Sequence, residues 1–226
     1  VIVPTDGEAF ARAVAAAYAA ETKSVVTFVA VTSLEARGGP FHMRTFSETA
    51  YEEADGFPVR KRVLRYLDGD RTCDAAELAR KSATADLPSS RFGIHLPVQP
   101  AYVEEYAFGK PTGEGDEITV AFTSKRRDAA HGDGSITYLR DEDRIETIVM
   151  RPAVLPEHAT SMTTTLDFGR VSEDRWDVVR VTHVFTGREG FISGGGQSVT
   201  TYERYRPFPT ESDADVVLDA MQPASG

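Results

Sequence analysis

The stretch KRRDAAHGDGS, residues 125 to 135, places Asp128, His131 and Asp133 within six positions, behind three consecutive cations. Carboxylates and an imidazole at that spacing are the side chains of a metal site or of an acid–base pair. The flanks point to a simpler role. Ile118, Val120 and Phe122 alternate before the stretch, and Ile136 and Tyr138 alternate after it, so the pattern predicts two strands joined by a polar loop. Gly132 and Gly134 allow the chain to reverse, and Asp and His tolerate turn conformations better than most residues. A metal reading requires a second His or carboxylate on a rigid neighbouring element, which the local sequence does not supply. Lys125, Arg126 and Arg127 would also oppose a cation. The expectation is therefore turn chemistry and solvation, with no metal and no cofactor; a hydrolase using Asp128 and His131 is the enzyme alternative.

Other reactive side chains form no constellation. His42, His95, His158 and His183 are scattered over separate segments, with no HExxH and no close pair. Cys73 is the only cysteine, which rules out an internal disulfide and a cysteine-based zinc site and reads as a small apolar residue at a helix start. The acid clusters Glu52-Glu53, Glu104-Glu105 and Asp141-Glu142-Asp143 fall at expected strand ends and turns, and read as solvated surface. The glycines at 194–196 read as a hairpin loop, since no helix follows to present a phosphate. No catalytic residue is expected.

The elements that would position these groups are mostly strands. TDGEAFARAVAAAYAAETKS predicts a helix with Asp6 as N-cap and Phe10, Val14, Ala17 and Tyr18 along one stripe. Strands are expected over 24–36, then to the turns at Asp55-Gly56 and Asp68-Gly69, and later near 102–108, 117–124, 134–140, 144–151, 160–168, 175–186 and 197–206. A short second helix fits 72–86, with Thr72 or Asp74 as cap, and LPSSRFGIHLPVQP reads as an irregular link with three prolines. Short connections imply antiparallel neighbours in a meander and exclude a doubly wound sheet. Residues 209–226 read as an acidic, Pro-containing C-terminal tail able to form one or two helical turns, after a single domain over 1–208.

Several strands are apolar on both faces. Val25, Val29 and Val31 oppose Val26, Phe28 and Leu34; Trp176, Val178 and Val184 oppose Val179, Val181 and Phe185. An antiparallel sheet with one wet face alternates cleanly, so these strands need cover on both sides. One cover is expected to be the first helix. The sheet either fills itself with side chains or leaves an apolar cavity for a ligand. Phe28, Val31, Phe46, Leu64, Tyr66, Phe122, Tyr138, Val149, Leu166 and Trp176 are expected to line the interior, or its helix contact, as the ligand-binding residues.

Composition narrows the class. At 41% hydrophobic and 27% charged the chain reads as globular, and a formal net charge of −10 argues against a nucleic-acid partner. No run of about 18 apolar residues exists, so no transmembrane segment is expected. The start Val-Ile-Val-Pro is what a processed or trimmed product would show, as after removal of a signal peptide.

The order helix, three long strands, short helical insertion and long meander resembles the LolA/LolB-like lipoprotein-localisation group of bacterial envelope proteins. The late block VAFTSKRRDAAHGDGSITYLRDEDRIETIVMRPAVLP, with TTTLDFGRVSEDRWDVVRVTHVFTG and VTTYERYRPF, carries the likeness, ending in Tyr202, Tyr205, Arg206 and Phe208. The resemblance covers roughly residues 7–208. It implies a mainly β fold with α (α+β), a curved antiparallel sheet forming an incomplete β-barrel covered by the N-terminal helix and a short inserted helix. It also implies a periplasmic or otherwise exported protein, not an enzyme, whose partner is a lipid, an acyl chain or a lipoprotein, with an envelope protein as a possible further partner. The alternative is an envelope scaffold with a filled core. The best-known carriers use an arginine that holds the lid shut; here Arg60, Arg62 and Arg65 are candidates for that role only as strand cations.

Overall fold

The computed structural model describes residues 5–83, 87, 90–173 and 175–224. The first helix, α1 (Gly7–Thr22), begins where Asp6 accepts a hydrogen bond from the Ala9 amide. Eleven strands follow in one antiparallel sheet: β1 (Val25–Gly38), β2 (Phe41–Ala54), β3 (Phe57–Asp68), β4 (Arg71–Thr72), β5 (Tyr106–Phe108), β6 (Glu117–Ser124), β7 (Gly132–Leu139), β8 (Arg144–Pro152), β9 (Ala159–Ser172), β10 (Arg175–Glu189) and β11 (Ile192–Phe208). Helix α2 (Ala75–Lys81) follows β4, and α3 (Glu211–Ala220) follows β11. The order β4-β3-β2-β1-β11-β10-β9-β8-β7-β6-β5 leaves β4 and β5 as edges, so the sheet curves without closing into a barrel.

The inner face carries the main core. Phe10, Val14 and Tyr18 of α1 pack onto Phe28, Val120, Ile136, Ile148, Leu166 and Val181. The larger share of the remaining cover comes from residues 90–106. Phe92, Ile94, Leu96 and Val98 are all buried in the same cluster, with Tyr106 beside them. What read as an irregular link thus packs into the concave face of the curved sheet. The expected inserted helix does less: α2 forms through a capping box between Asp74 and Glu77 but buries none of its residues, and the expected continuation over 84–86 lies outside the described residues.

The outer face of β1 and β2 has its own cover. Val29, Ala50 and Leu64 are buried beneath Leu218 of α3, with Val31 and Met221 against them. This explains the doubly apolar β1. The segment that read as a tail with one or two helical turns is a ten-residue docked helix.

Three bulges redistribute side chains that simple alternation assigns elsewhere. In β3 the register slips beside Leu64, so Tyr66 pairs with Ser47 and Leu67 with Phe46, and Tyr66 shares a face with Val63 rather than with Arg62. In β10 the slip between Val178 and Arg180 buries Val178 and Val181 together, while Val184 is 50% exposed. In β11 Arg204 adopts a left-handed φ of 57°, opposite the shift between Thr27 and Val29. That kink lets Tyr202 and Tyr205, three residues apart, both pack against Phe28. The glycines at 194–196 lie inside β11, not in a loop; a Cβ at Gly194 would stand 2.5 Å from the Arg37 carbonyl oxygen.

Candidate functional site

None of the ten residues expected at the interior is exposed. Phe28, Phe122, Tyr138 and Leu166 are buried in the main core, and Trp176 packs against it. Val31 and Leu64 belong to the outer cluster under α3. Tyr66 faces α2, with the Lys81 ammonium 3.9 Å from its ring centre, and Phe46 meets Arg65. Val149 is half-buried on β8, opposite Ser135 and Thr165. The structure therefore does not gather the ten into one cavity. Beneath α1 the space bounded by Val14, Tyr18, Tyr138, Phe168 and Trp176 amounts to about 30 Å³, which makes this part of the interior solid.

The solid core contains a charged cluster. Arg91, on the segment that fills the inner face, has 2% of its side chain exposed and pairs with Asp177 and, at 3.4 Å, with Glu53. Arg175 binds Asp177 at 2.7 Å and Glu53 at 3.4 Å. Tyr205 accepts from Arg91 and donates to the Val178 carbonyl. The Arg91 guanidinium also stands 5.0 Å from the Phe28 ring centre and 4.5 Å from that of Phe92. Burial raises the Glu53 carboxyl above the usual carboxylate range, and the two arginines oppose that shift. Glu52 and Glu53, read from the sequence as solvated, are each 1% exposed. The arrangement ties residues 90–106 to β2 and β10 through paired charges.

The inner face changes character toward the far ends of the long strands. There Ala36, Gly38, Phe41, Met43, Phe185, Ile192 and Gly194 line an open groove of about 410 Å³. Cross-strand pairing keeps Ala36, Met43, Phe185 and Gly196 in one row on the face that carries Phe28. None of its lining comes from α1 or from residues 90–106. Phe41 is 67% exposed and Met43 49%, so apolar surface faces solvent here. Arg37, Arg188, Glu189 and His158 stand at the rim. Two other openings differ in character: one of about 380 Å³ is lined by charged groups such as Arg71, Glu77 and Lys81, and one of about 450 Å³ mixes Leu34, Phe46, Leu67 and Val199 with Arg44 and Asp70. A further one of about 380 Å³ lies where α1 ends, against Phe57, Pro100 and Ala101. The sequence places Phe41 just after Gly38-Gly39 and Ile192 just before the glycines at 194–196, but the assignment of 194–196 to a loop concealed the groove they line.

The stretch at 125–135 combines turn chemistry with a buried imidazole. Asp128 Oδ1 accepts from the amides of Ala130 and His131, and Asp133 accepts from Ser124 N. His131, however, is 1% exposed. Its Nδ1 lies 2.6 Å from Asp128 Oδ1 and its Nε2 lies 2.5 Å from Glu105 Oε2 and 3.4 Å from His95 Nδ1. The second His and the carboxylate that the local sequence lacks stand beside this imidazole as His95 and Glu105, from the segment that fills the inner face.

No family model matches the chain, and no curated protein sequence matches it. Among solved structures it is similar to a LolA superfamily protein from Nitrosomonas europaea, at 9% identity and a TM-score of 0.40, covering 92% of this chain and 96% of that one. It is similar to a DUF1329 family protein from Desulfovibrio piger, at 13% identity and a TM-score of 0.47, with 96% and 100% covered. It is also similar to a putative outer membrane lipoprotein-sorting protein domain from Vibrio parahaemolyticus, at 10% identity and a TM-score of 0.46, with 94% and 97% covered. Among the described residues no helix is long and apolar enough to cross a membrane.

Proposed function

We propose that this chain is a non-enzymatic binding protein that holds an acyl chain or another hydrophobic ligand in the open groove at the far end of its inner face. The observation that carries this reading is the exposed apolar groove of about 410 Å³, with Phe41, Met43 and Phe185 on its walls and glycines in β11. Its volume falls within the range of small-molecule sites, and each buried methylene contributes about 0.8 kcal/mol. At the rim Arg188 suits an acidic headgroup, whereas Arg37 is already paired with Glu35 at 2.6 Å and Glu189 lines the same groove. The proposal includes the envelope location implied by the sequence resemblance, and a lipid or lipoprotein as partner.

The solid core favours a second reading, in which the sheet is a scaffold whose apolar end meets another envelope protein. Organic extraction of the purified protein, with native mass spectrometry of the intact chain and uptake of a fluorescent fatty acid, separates the two. Ligand binding predicts a co-purifying acyl lipid near one per chain, or saturable uptake weakened tenfold or more by Met43→Asp. An empty protein that takes up no fatty acid sinks the ligand reading in favour of the scaffold.

A further inference from the structure

The geometry points to a divalent-metal site of the zinc class formed by His95, Glu105 and His131. A ligand atom from each of the three lies within 4.8 Å of the other two. A carboxylate only accepts, so the 2.6 Å contact between Asp128 and His131 Nδ1 places the Nδ1 proton on that side of the ring. The other nitrogen, Nε2, then faces a second acceptor, Glu105 Oε2, at 2.5 Å. Two acceptors this close need a cation between them: a proton fits the 2.5 Å spacing, and a metal ion would hold the same two atoms about 0.8 Å further apart. A proton serves two atoms well. Here a third donor atom converges: His95 Nδ1 stands 3.4 Å from the same Nε2.

The surroundings have the features of a ligating histidine. Metal-bound imidazoles generally give their other N–H to a carboxylate, which fixes ring orientation and raises ligand basicity. Asp128 does this, and is itself held by two backbone amides. His95 is fixed by its amide bond to the Ala130 carbonyl at 2.8 Å and by stacking on Tyr102, with ring centres 3.8 Å apart. Two imidazoles and one carboxylate form a ligand set that zinc accepts, leaving a fourth position for water. Zinc–ligand bonds of about 2.0–2.2 Å set tetrahedral ligand atoms roughly 3.3 Å apart. The His95–His131 pair, at 3.4 Å, already has that spacing, whereas Glu105 Oε2, 2.5 Å from His131 Nε2, must move outward to reach it. Arg126, which binds the other Glu105 oxygen at 2.9 Å, opposes the charge of the metal and also orients the carboxylate. A metal here would tie the segment that fills the inner face to the start of β7, independently of what the groove binds.

The test uses the full chain after dialysis against a chelator. Calorimetric titration with Zn²⁺ should give one site per chain, and Co²⁺ should give visible absorption of tetrahedral intensity. His95→Ala and Glu105→Gln, with unchanged far-UV circular dichroism, should each weaken binding at least tenfold. Asp128→Asn should weaken it by about 10–100-fold. Absence of stoichiometric Zn²⁺ binding, or equal binding by the wild type, His95→Ala and Glu105→Gln, overturns the assignment and leaves a proton as the cation.

Discussion

Arg91 fastens the segment over the inner face to β2 and β10. Its guanidinium faces two carboxylates, and among the described residues its Nε finds no hydrogen-bond partner. Removing one member of a buried ion pair leaves the other charges uncompensated and typically costs about 3–5 kcal/mol. Arg91→Ala is therefore expected to lower unfolding free energy by about that amount, read from urea denaturation, whereas Arg65→Ala, a partly exposed cation 3.8 Å from Glu48, should change it by about 1 kcal/mol or less. Equal effects would show that the cluster does not fasten the segment. Little of this was legible in the sequence. Glu53 lies 38 positions from Arg91, and Arg91 lies 86 from Asp177, so no local pattern marks them as partners. One sign was there: Phe92, Ile94, Leu96 and Val98 alternate through the link with strand period, although Pro97 among them interrupts a ladder.

At the scale of elements, α3 illustrates how polar contacts seat a helix with a thin apolar stripe. Only Ala214 and Leu218 are buried, so the rest of the docking is electrostatic. Arg60 pairs with Asp215 and Asp219, and Arg62 donates to the Leu218, Asp219 and Met221 carbonyls, where a cation complements the helix C-terminus. Beneath them Glu52 is 1% exposed; burial, then the neighbouring Asp215 charge and its hydrogen bond, push its carboxyl up to about 7. A carboxyl raised in the folded state binds its proton more tightly there than in the unfolded chain. Its contribution is full below the ordinary carboxylate range and is lost as pH rises through about 7. Asp215, lowered chiefly by its hydrogen bond to Arg60, acts oppositely and loses its contribution only on strong acidification. Denaturation midpoints of the wild type should therefore fall between pH 5 and pH 8, and Glu52→Gln should flatten that fall. An unchanged slope in Glu52→Gln would assign it to another group. Strand existence was legible from turn signals and alternation; the faces beyond each bulge were not, because one inserted residue inverts every side chain that follows.

At the scale of the whole molecule, the seam between β1 and β11 decides whether the sheet behaves as one body. Every other neighbouring pair is close in sequence, but here Val25 meets Phe208 across most of the chain. The fold could in principle separate into a block of β1 to β4 and a block of β5 to β11. The core argues against this. Phe28 of the first block stacks on Tyr51 and Tyr205, and Arg91 joins Glu53 of β2 to Asp177 of β10. Splitting the seam would expose those rings and leave charges buried or unpaired on both sides. We expect one cooperative unfolding unit, with slow refolding because the seam closes a long loop. Trp176, the only tryptophan, reports on β10, while far-UV circular dichroism reports on all strands. Urea transitions followed by the two signals should coincide. A tryptophan transition displaced from the dichroism transition would mean that the β1–β4 block unfolds separately, and that the ion cluster and aromatic stack do not couple the halves.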